Sequence, residues 1–343
     1  MSRWTAIRCR RLPVSFRLDR RVPPVLLALG GIALALTVLS LGTGQYPVPP
    51  GEVVRTLLGG GSREYDFVIR TLRLPRALVA FLVGLALAMA GAILQAITRN
   101  PLASPDVTGL SAGAGLGAVA VMVFLPDAPW SALTPAALAG GLAAGGLTYW
   151  LGWKGGSHPL RLVLVGIGIA AAAQALTNTV MATTQSLRVG EALVWLTGSV
   201  YGRSWQHLRP MLPWLGVGVP AALLMARHLD VLHLDEDLAR GLGSRVEWHR
   251  GMLFLIAVTL GSAAVAAAGT LGFVGLMAPH IARRLVGPAH GGLLPTAGMV
   301  GGLMVLAADL IGRTLLAPIE VPAGVVTAAV GAPYFLYLLF RNR

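Results

Sequence analysis

Apolar runs of about twenty residues, separated by short polar knots, recur along the whole chain. The run Ala77 to Ile97 is long enough for a hydrocarbon core of ~30 Å. Arg73 and Arg76 precede it, and Arg99-Asn100-Pro101 closes it. The same pattern predicts ten membrane-spanning helices, at 22–42, 76–98, 108–125, 133–153, 161–184, 208–226, 250–268, 270–286, 293–313 and 323–340. From Met252 to Ala282 the apolar character is nearly unbroken. As one helix this stretch would be ~45 Å long, too long for the core, so Gly269-Thr270-Leu271-Gly272 is the natural break. Small residues at four-residue steps (Ala86 and Ala90; Gly109, Gly113 and Gly117) are those that let helices approach closely in a bilayer. The expected architecture is all-α, a polytopic bundle of about ten helices forming one transmembrane domain over 22–343.

Composition supports this. Of the 343 residues, 55% are hydrophobic and only 12% charged, about half the charge of a soluble domain. The formal net charge of +13 would suggest nucleic acid in a soluble protein. Here the basic residues sit mainly in loops between apolar runs, where topology and anionic lipid account for them. Residues 1–21 form a basic tail with seven arginines. The tail and the run after it imitate a signal peptide, but that run is long and ends without a small-residue cleavage site. It is expected to be an uncleaved first helix with its tail in the cytoplasm, and an even helix count returns the C-terminus there. The arginine bias is inside-positive but incomplete: Arg55, Arg63, Arg70, Arg73, Arg76, Arg188, Arg203, Arg209 and Arg313 fall outside. Either a negatively charged partner, or lipid headgroup anchoring together with local pairing to Glu52, Glu64 and Asp66, explains them.

Several other chemistries have weaker support in the sequence. Gly109-Leu110-Ser111-Ala112-Gly113 matches a serine-hydrolase pattern, yet a nucleophile needs a base within reach, and His280, the one intramembrane candidate, belongs to a helix end. Gly113-x-Gly115-x-Gly117 lacks the preceding strand of a dinucleotide loop. The seven histidines never fall at His-x-x-x-His spacing and the only cysteine is Cys9, so no metal site is expected. No G-x-x-x-x-G-K-[ST] loop occurs and Lys154 is the only lysine. The chain is expected to be no enzyme and to bind no cofactor, so any ATP-driven step belongs to a separate subunit.

The polar residues within and between the spans nominate sites. Gln174 and Asn178 lie one turn apart on the fifth predicted helix, bordered by Thr177 and Met181. They suit either a weakly polar transport path or interhelical hydrogen bonds. Asp309 precedes Arg313 by four residues, the favourable order for a helix pair, either functional or a neutralised bridge that Glu320 joins. In the longest predicted cytoplasmic loop, Asp235 suits an N-cap, Glu236 and Asp237 the positive helix end, and Gly243 the stop. The resulting short helix, 235–243, carries Leu238 and Leu242 on one face and needs a surface to pack on.

Several stretches together resemble one family. They are RNPLASPD from Arg99, WLTGSVYGRSW from Trp195, GTLGFVGLMAPHIAR from Gly269 and VPAGVVTAAVGAPYFLYLL from Val321. The chain is similar over nearly its whole length after the tail to the permease subunits of ABC importers for iron-siderophores, haem and cobalamin, nearest to the ferric citrate and ferric siderophore branch. It departs from that pattern at Gly287-Pro288-Ala289-His290-Gly291 and at Thr108. The resemblance implies the type II ABC importer permease fold and a second permease chain, identical or paralogous. It also implies two ATPase subunits carrying ATP and Mg, which grip Asp235, Glu236, Asp237, Leu238, Ala239, Leu242 and Gly243. An external or periplasmic binding protein would deliver a ferric chelate and dock on Arg73, Arg76 and Arg313. Ser157, His158, Pro159, Leu160 and Arg161, at the cytoplasmic start of the fifth helix, are the expected inner gate. The implied setting is a bacterial cytoplasmic membrane. Haem or cobalamin import remains an alternative, as do an ion-coupled secondary transporter using Asp309 and an intramembrane serine protease using Ser111.

Overall fold

The computed structural model describes residues 4–8, 15–125, 127–154, 156, 158–183, 188–232 and 236–341. Among these residues, fifteen α-helices follow a small antiparallel ribbon, β1 (Trp4–Arg8) and β2 (Ser15–Asp19), inside the segment expected to be a plain basic tail. α1 (Val22–Gly42) leads through α2 (Pro50–Leu57) and α3 (Arg63–Asp66) to a π-helical turn, Phe67–Arg73, that runs straight into α4 (Leu74–Ile97). Then come α5 (Leu110–Phe124), α6 (Leu133–Gly152), α7 (Pro159–Ala182), α8 (Arg188–Leu196) and α9 (Trp205–Leu224). α10 (Ala226–Leu232), α11 (Glu236–Gly241), α12 (Val246–Ala268), α13 (Val274–Val286), α14 (His290–Thr314) and α15 (Ala323–Arg341) complete the chain.

The long helices match the ten predicted runs in order. Five pass a strict test of length and hydropathy for crossing a bilayer: α1, the continuous Arg63–Ile97 segment, α7, α12 and α14. α9 with α10, bent by 54° between them, makes a sixth. The predicted span 270–286 shortens to α13, 13 residues, ~20 Å at 1.5 Å per residue. The reason lies at the predicted break. Gly269 and Phe273 both adopt positive φ, 77° and 67°, and the chain between them is unwound.

Unpaired backbone is costly in a bilayer interior, and here the loop after α8 packs against the break. Ser199 N donates to Ala268 O at 2.8 Å, Gly324 N to Gly198 O at 2.9 Å, and Thr270 Oγ1 to Leu196 O. Three motifs distant in sequence, around Trp195, Gly269 and Val321, thus meet at one junction.

α4 and α12 are the most buried helices, while α1 and α7 keep most of their surface exposed. α4 packs against α14, α12 and α13, and α5 packs against α6 and α7. Glycine decides two close crossings. A Cβ on Gly84 would strike the Gly301 carbonyl of α14, and one on Gly113 would strike Ala144 and the Gly140 carbonyl of α6. Burial against lipid gives little gain from helix association, so such close contact carries more of the stabilisation.

The bundle has two ends. At the near end, where α1 starts, Val22 meets Gly292, and Arg99 Nε donates to Leu232 O at 3.2 Å. At the far end, where α1 finishes, the start of α4, the loop before α9 and the end of α14 gather.

Candidate functional site

The π-helical turn sets the far end. Arg70 binds Thr56 O through Nη2 at 2.6 Å and Asp66 through Nε at 3.1 Å, holding α2 against the turn. One turn on, Arg73 gives Nη1 to Leu41 O at 2.7 Å and Nη2 to Tyr46 O at 2.6 Å, which fastens the exit of α1. Arg76 reaches across to α14. Its Nη2 lies 2.7 Å from Asp309 Oδ1 and 2.7 Å from Glu320 Oε2, and its Nε lies 3.1 Å from Asp309 Oδ1.

Asp309 is 4% exposed, and Arg313 Nε stands 4.0 Å from its Oδ2. Arg313 instead gives Nη2 to the Ser40 carbonyl and hydroxyl. The predicted Asp309–Arg313 pair is therefore the weaker arm of a four-member cluster whose main bond is Arg76–Asp309, and Glu320 joins through Arg76.

The other far-end acids pair locally. Glu52 binds Arg55 at 3.0 Å, and Tyr46 donates to Glu64, which pushes the Tyr46 hydroxyl pKa up to about 12.

Beside this cluster lies a cavity of about 920 Å³, bordered by the α1 exit, the start of α4, the Ser199–Ser204 loop and the segment 317–322. Arg73, Arg76, Arg203 and Arg313 all line it. Tyr201 offers its ring to Arg76 at 5.6 Å. Arg203 Nε donates to Ser199 O at 3.3 Å, and burial draws its pKa down to about 10. In the sequence Arg203 is set apart from the other outside arginines only by position: it lies within the Trp195–Trp205 motif with no acid nearby.

At the near end, α11 lies within the stretch 235–243 where a short helix is expected. Leu242 N donates to Leu238 O at 3.0 Å, and Gly243, at φ 77°, closes the helix on Arg240 O at 2.9 Å. Ala239 is buried against the protein, whereas Leu238 and Leu242 are 62% and 69% exposed. Asp235 and Ser157 lie outside the described residues, as do the side chains of Glu236 and Asp237.

α10, just before this helix, is pinned to α14: Asp230 Oδ1 accepts from the His290 backbone at 2.9 Å and lies 2.7 Å from His290 Nδ1. Of the expected gate, His158 and Leu160 are exposed, Pro159 begins α7, and Arg161 Nη1 lies 3.5 Å from Lys154 O.

The proposed path residues divide between two surfaces. Gln174 and Asn178 are exposed and bonded to each other at 3.0 Å. Thr177 is buried and donates to Ala173 O at 2.9 Å, and Met181 packs on the core. Ser111 is buried and hydrogen-bonded to Asp106, whose pKa burial raises while that bond lowers it. His280 instead faces Tyr334 edge-on, with ring centroids 6.1 Å apart.

Comparison with known proteins assigns the chain. The sequence profile of the FecCD transport family matches residues 32–341. The chain is 46% identical over 93% of its length to "Probable siderophore transport system permease protein YfhA" of Bacillus subtilis (strain 168), covering 95% of that protein. It is 45% identical to "Achromobactin transport system permease protein CbrC" of Dickeya dadantii (strain 3937), covering 91% of this chain and 90% of CbrC. A solved structure described as a metal-chelate type ABC transporter in an inward-facing conformation superposes with a TM-score of 0.84 at 29% identity, covering 93% of this chain and 99% of that one. With matching order of helices, matching length and a profile spanning nine-tenths of the sequence, this chain belongs to the FecCD transport family, as a membrane permease subunit whose ATPase is a separate chain.

Proposed function

We propose that this chain carries ferric siderophores of the carboxylate, ferric-citrate-like kind across a bacterial cytoplasmic membrane by alternating access. It works beside a second permease chain and two ATPase subunits. The near end is cytoplasmic, in keeping with the arginine-rich tail, and the far end faces outward. The carrying observation is α11: a helix closed at Gly243 and too short to persist alone holds two leucines off the protein surface. That pair suits a groove on an ATPase. Relatives named for siderophore, achromobactin and Fe(3+)-citrate transport support the substrate class.

An external binding protein docks at the far end through Arg73, Arg76 and Arg313. The cluster divides their roles. Arg76 and Arg313 face Asp309 and Glu320, two cations against two anions, so their charge is largely cancelled. Arg73 is held by carbonyls alone and keeps its charge for an acidic partner, setting docking speed and orientation. The exposed Gln174–Asn178 pair lines the path, since amides facing hydrocarbon would be costly. The residues from Ser157 to Arg161 close that path on the cytoplasmic side.

The test is reconstitution with the ATPase and binding protein, measuring uptake of radiolabelled iron as ferric citrate, a hydroxamate siderophore or haem. Uptake of ferric citrate that stops without ATP supports the proposal. Equal uptake without the ATPase overturns it in favour of a secondary transporter.

A further inference from the structure

The charges lining the far-end cavity do not balance. Arg76 and Arg313 have Asp309 and Glu320, but Arg73 and Arg203 have only backbone carbonyls as partners among the described residues. Both are half-buried. A cation drawn from water without a counter-charge is costly, and folding accepts that cost twice on one cavity wall. The hydrogen bonds also leave donors over. Arg203 commits only Nε, so its two terminal nitrogens, the edge that forks onto a carboxylate, are uncommitted among the described residues. The Tyr201 hydroxyl and the Gln45 amide stand on the same lining.

The volume decides what the counter-charge belongs to. About 920 Å³ falls at the upper end of the ~300–1,000 Å³ usual for small-molecule pockets. A single Asp or Glu side chain from a docking protein would neutralise one arginine and leave most of the space empty. A whole chelate with several carboxylates fills the space and meets both cations.

We propose that this cavity is a receiving site for a carboxylate-bearing iron chelate, held by Arg203 and Arg73 as it leaves the binding protein and before it enters the path between permease chains. The site selects for net negative, carboxylate-rich chelates and against hydroxamate chelates, which carry no such group. It rests on the importer reading above and adds to it a place where this chain itself reads the substrate.

The test uses the full chain in lipid nanodiscs without binding protein, titrated calorimetrically with ferric citrate and with a ferric trihydroxamate. Ferric citrate binds the wild type and the trihydroxamate does not. Arg203→Gln weakens ferric citrate binding about tenfold to a hundredfold, the range for losing a hydrogen bond to a charged group. Arg203→Lys, which keeps the charge but loses the fork, falls between. Pull-down of the binding protein by Arg203→Gln stays at the wild-type level, which also reports an intact far-end surface.

Four results would each overturn the inference: no binding of ferric citrate to the wild type, equal binding by Arg203→Gln, equal binding of the trihydroxamate, or loss of the pull-down. The last reassigns Arg203 to docking. ATP-driven uptake of ferric citrate by the wild type separates the two levels. If uptake holds and the binding results fail, only the receiving site is lost; if no iron chelate is taken up, the importer reading goes with it.

Discussion

Replacing Asp309 by asparagine removes one negative charge from a cluster that has two of each sign. Asp309 is 4% exposed, and the side chains of Arg313 and Arg76 are 8% and 14% exposed. The variant leaves two poorly solvated guanidinium groups with Glu320 as their only acid, and Glu320 is itself 33% exposed. Removing one partner of a buried pair costs about 3–5 kcal/mol. The cluster stands at the bundle's end, partly screened through Glu320, so the lower end of that range, about 3 kcal/mol, is expected.

Replacing both partners, Arg76→Met with Asp309→Leu, should recover most of the loss, because an apolar pair of similar volume carries no desolvation cost. Equilibrium unfolding in mixed detergent micelles, followed by tryptophan fluorescence, would measure Asp309→Asn and, for the cycle, Arg76→Met, Asp309→Leu and their double. The reasoning requires a coupling energy of at least about 2 kcal/mol in that cycle. Additive effects, or a cost below about 1 kcal/mol for Asp309→Asn, would refute it and return Arg76 to the role of a free docking cation.

Arg73→Glu should abolish binding-protein capture in a pull-down while co-purification with the ATPase persists; unchanged capture would remove Arg73 from docking. Leu238→Asp with Leu242→Asp should do the reverse, losing the ATPase with stability shifted by no more than about 0.5 kcal/mol, as at exposed positions. Gly301→Val forces α14 away from the Gly84 carbonyl and should destabilise the protein by about 1–3 kcal/mol, read in the same unfolding assay. Ser111→Ala should cost about 1 kcal/mol through the lost hydrogen bond to Asp106 and leave uptake intact; loss of a proteolytic activity instead would revive the serine-protease alternative.

Helix number, order and the break at Gly269 were legible because they depend on local properties: run length, hydropathy and residues that tolerate positive φ. The short helix α11 was legible for the same reason, since its leucines and its stop at Gly243 lie within a few positions. What the sequence left open concerned partners far apart along the chain. Arg76 and Asp309 are separated by 233 residues, and the i, i+4 rule favoured Arg313, which proved the more distant contact.

The shared face assigned to Gln174, Thr177, Asn178 and Met181 followed from their spacing, but which of them met the core depended on where α5 and α6 lay. The span at 270–286 looked full length because apolar character continues through the break, while the helix starts only after the unwound 269–273 segment, beside which Ser199 N donates to Ala268 O. Hydropathy and turn chemistry act within a few residues, so sequence by itself determined a bundle of apolar membrane helices in their order along the chain. Charge compensation depends on distances through space. Only the tertiary structure could decide that Arg76 and Arg313 are spent on carboxylates while Arg73 and Arg203 are left facing a cavity.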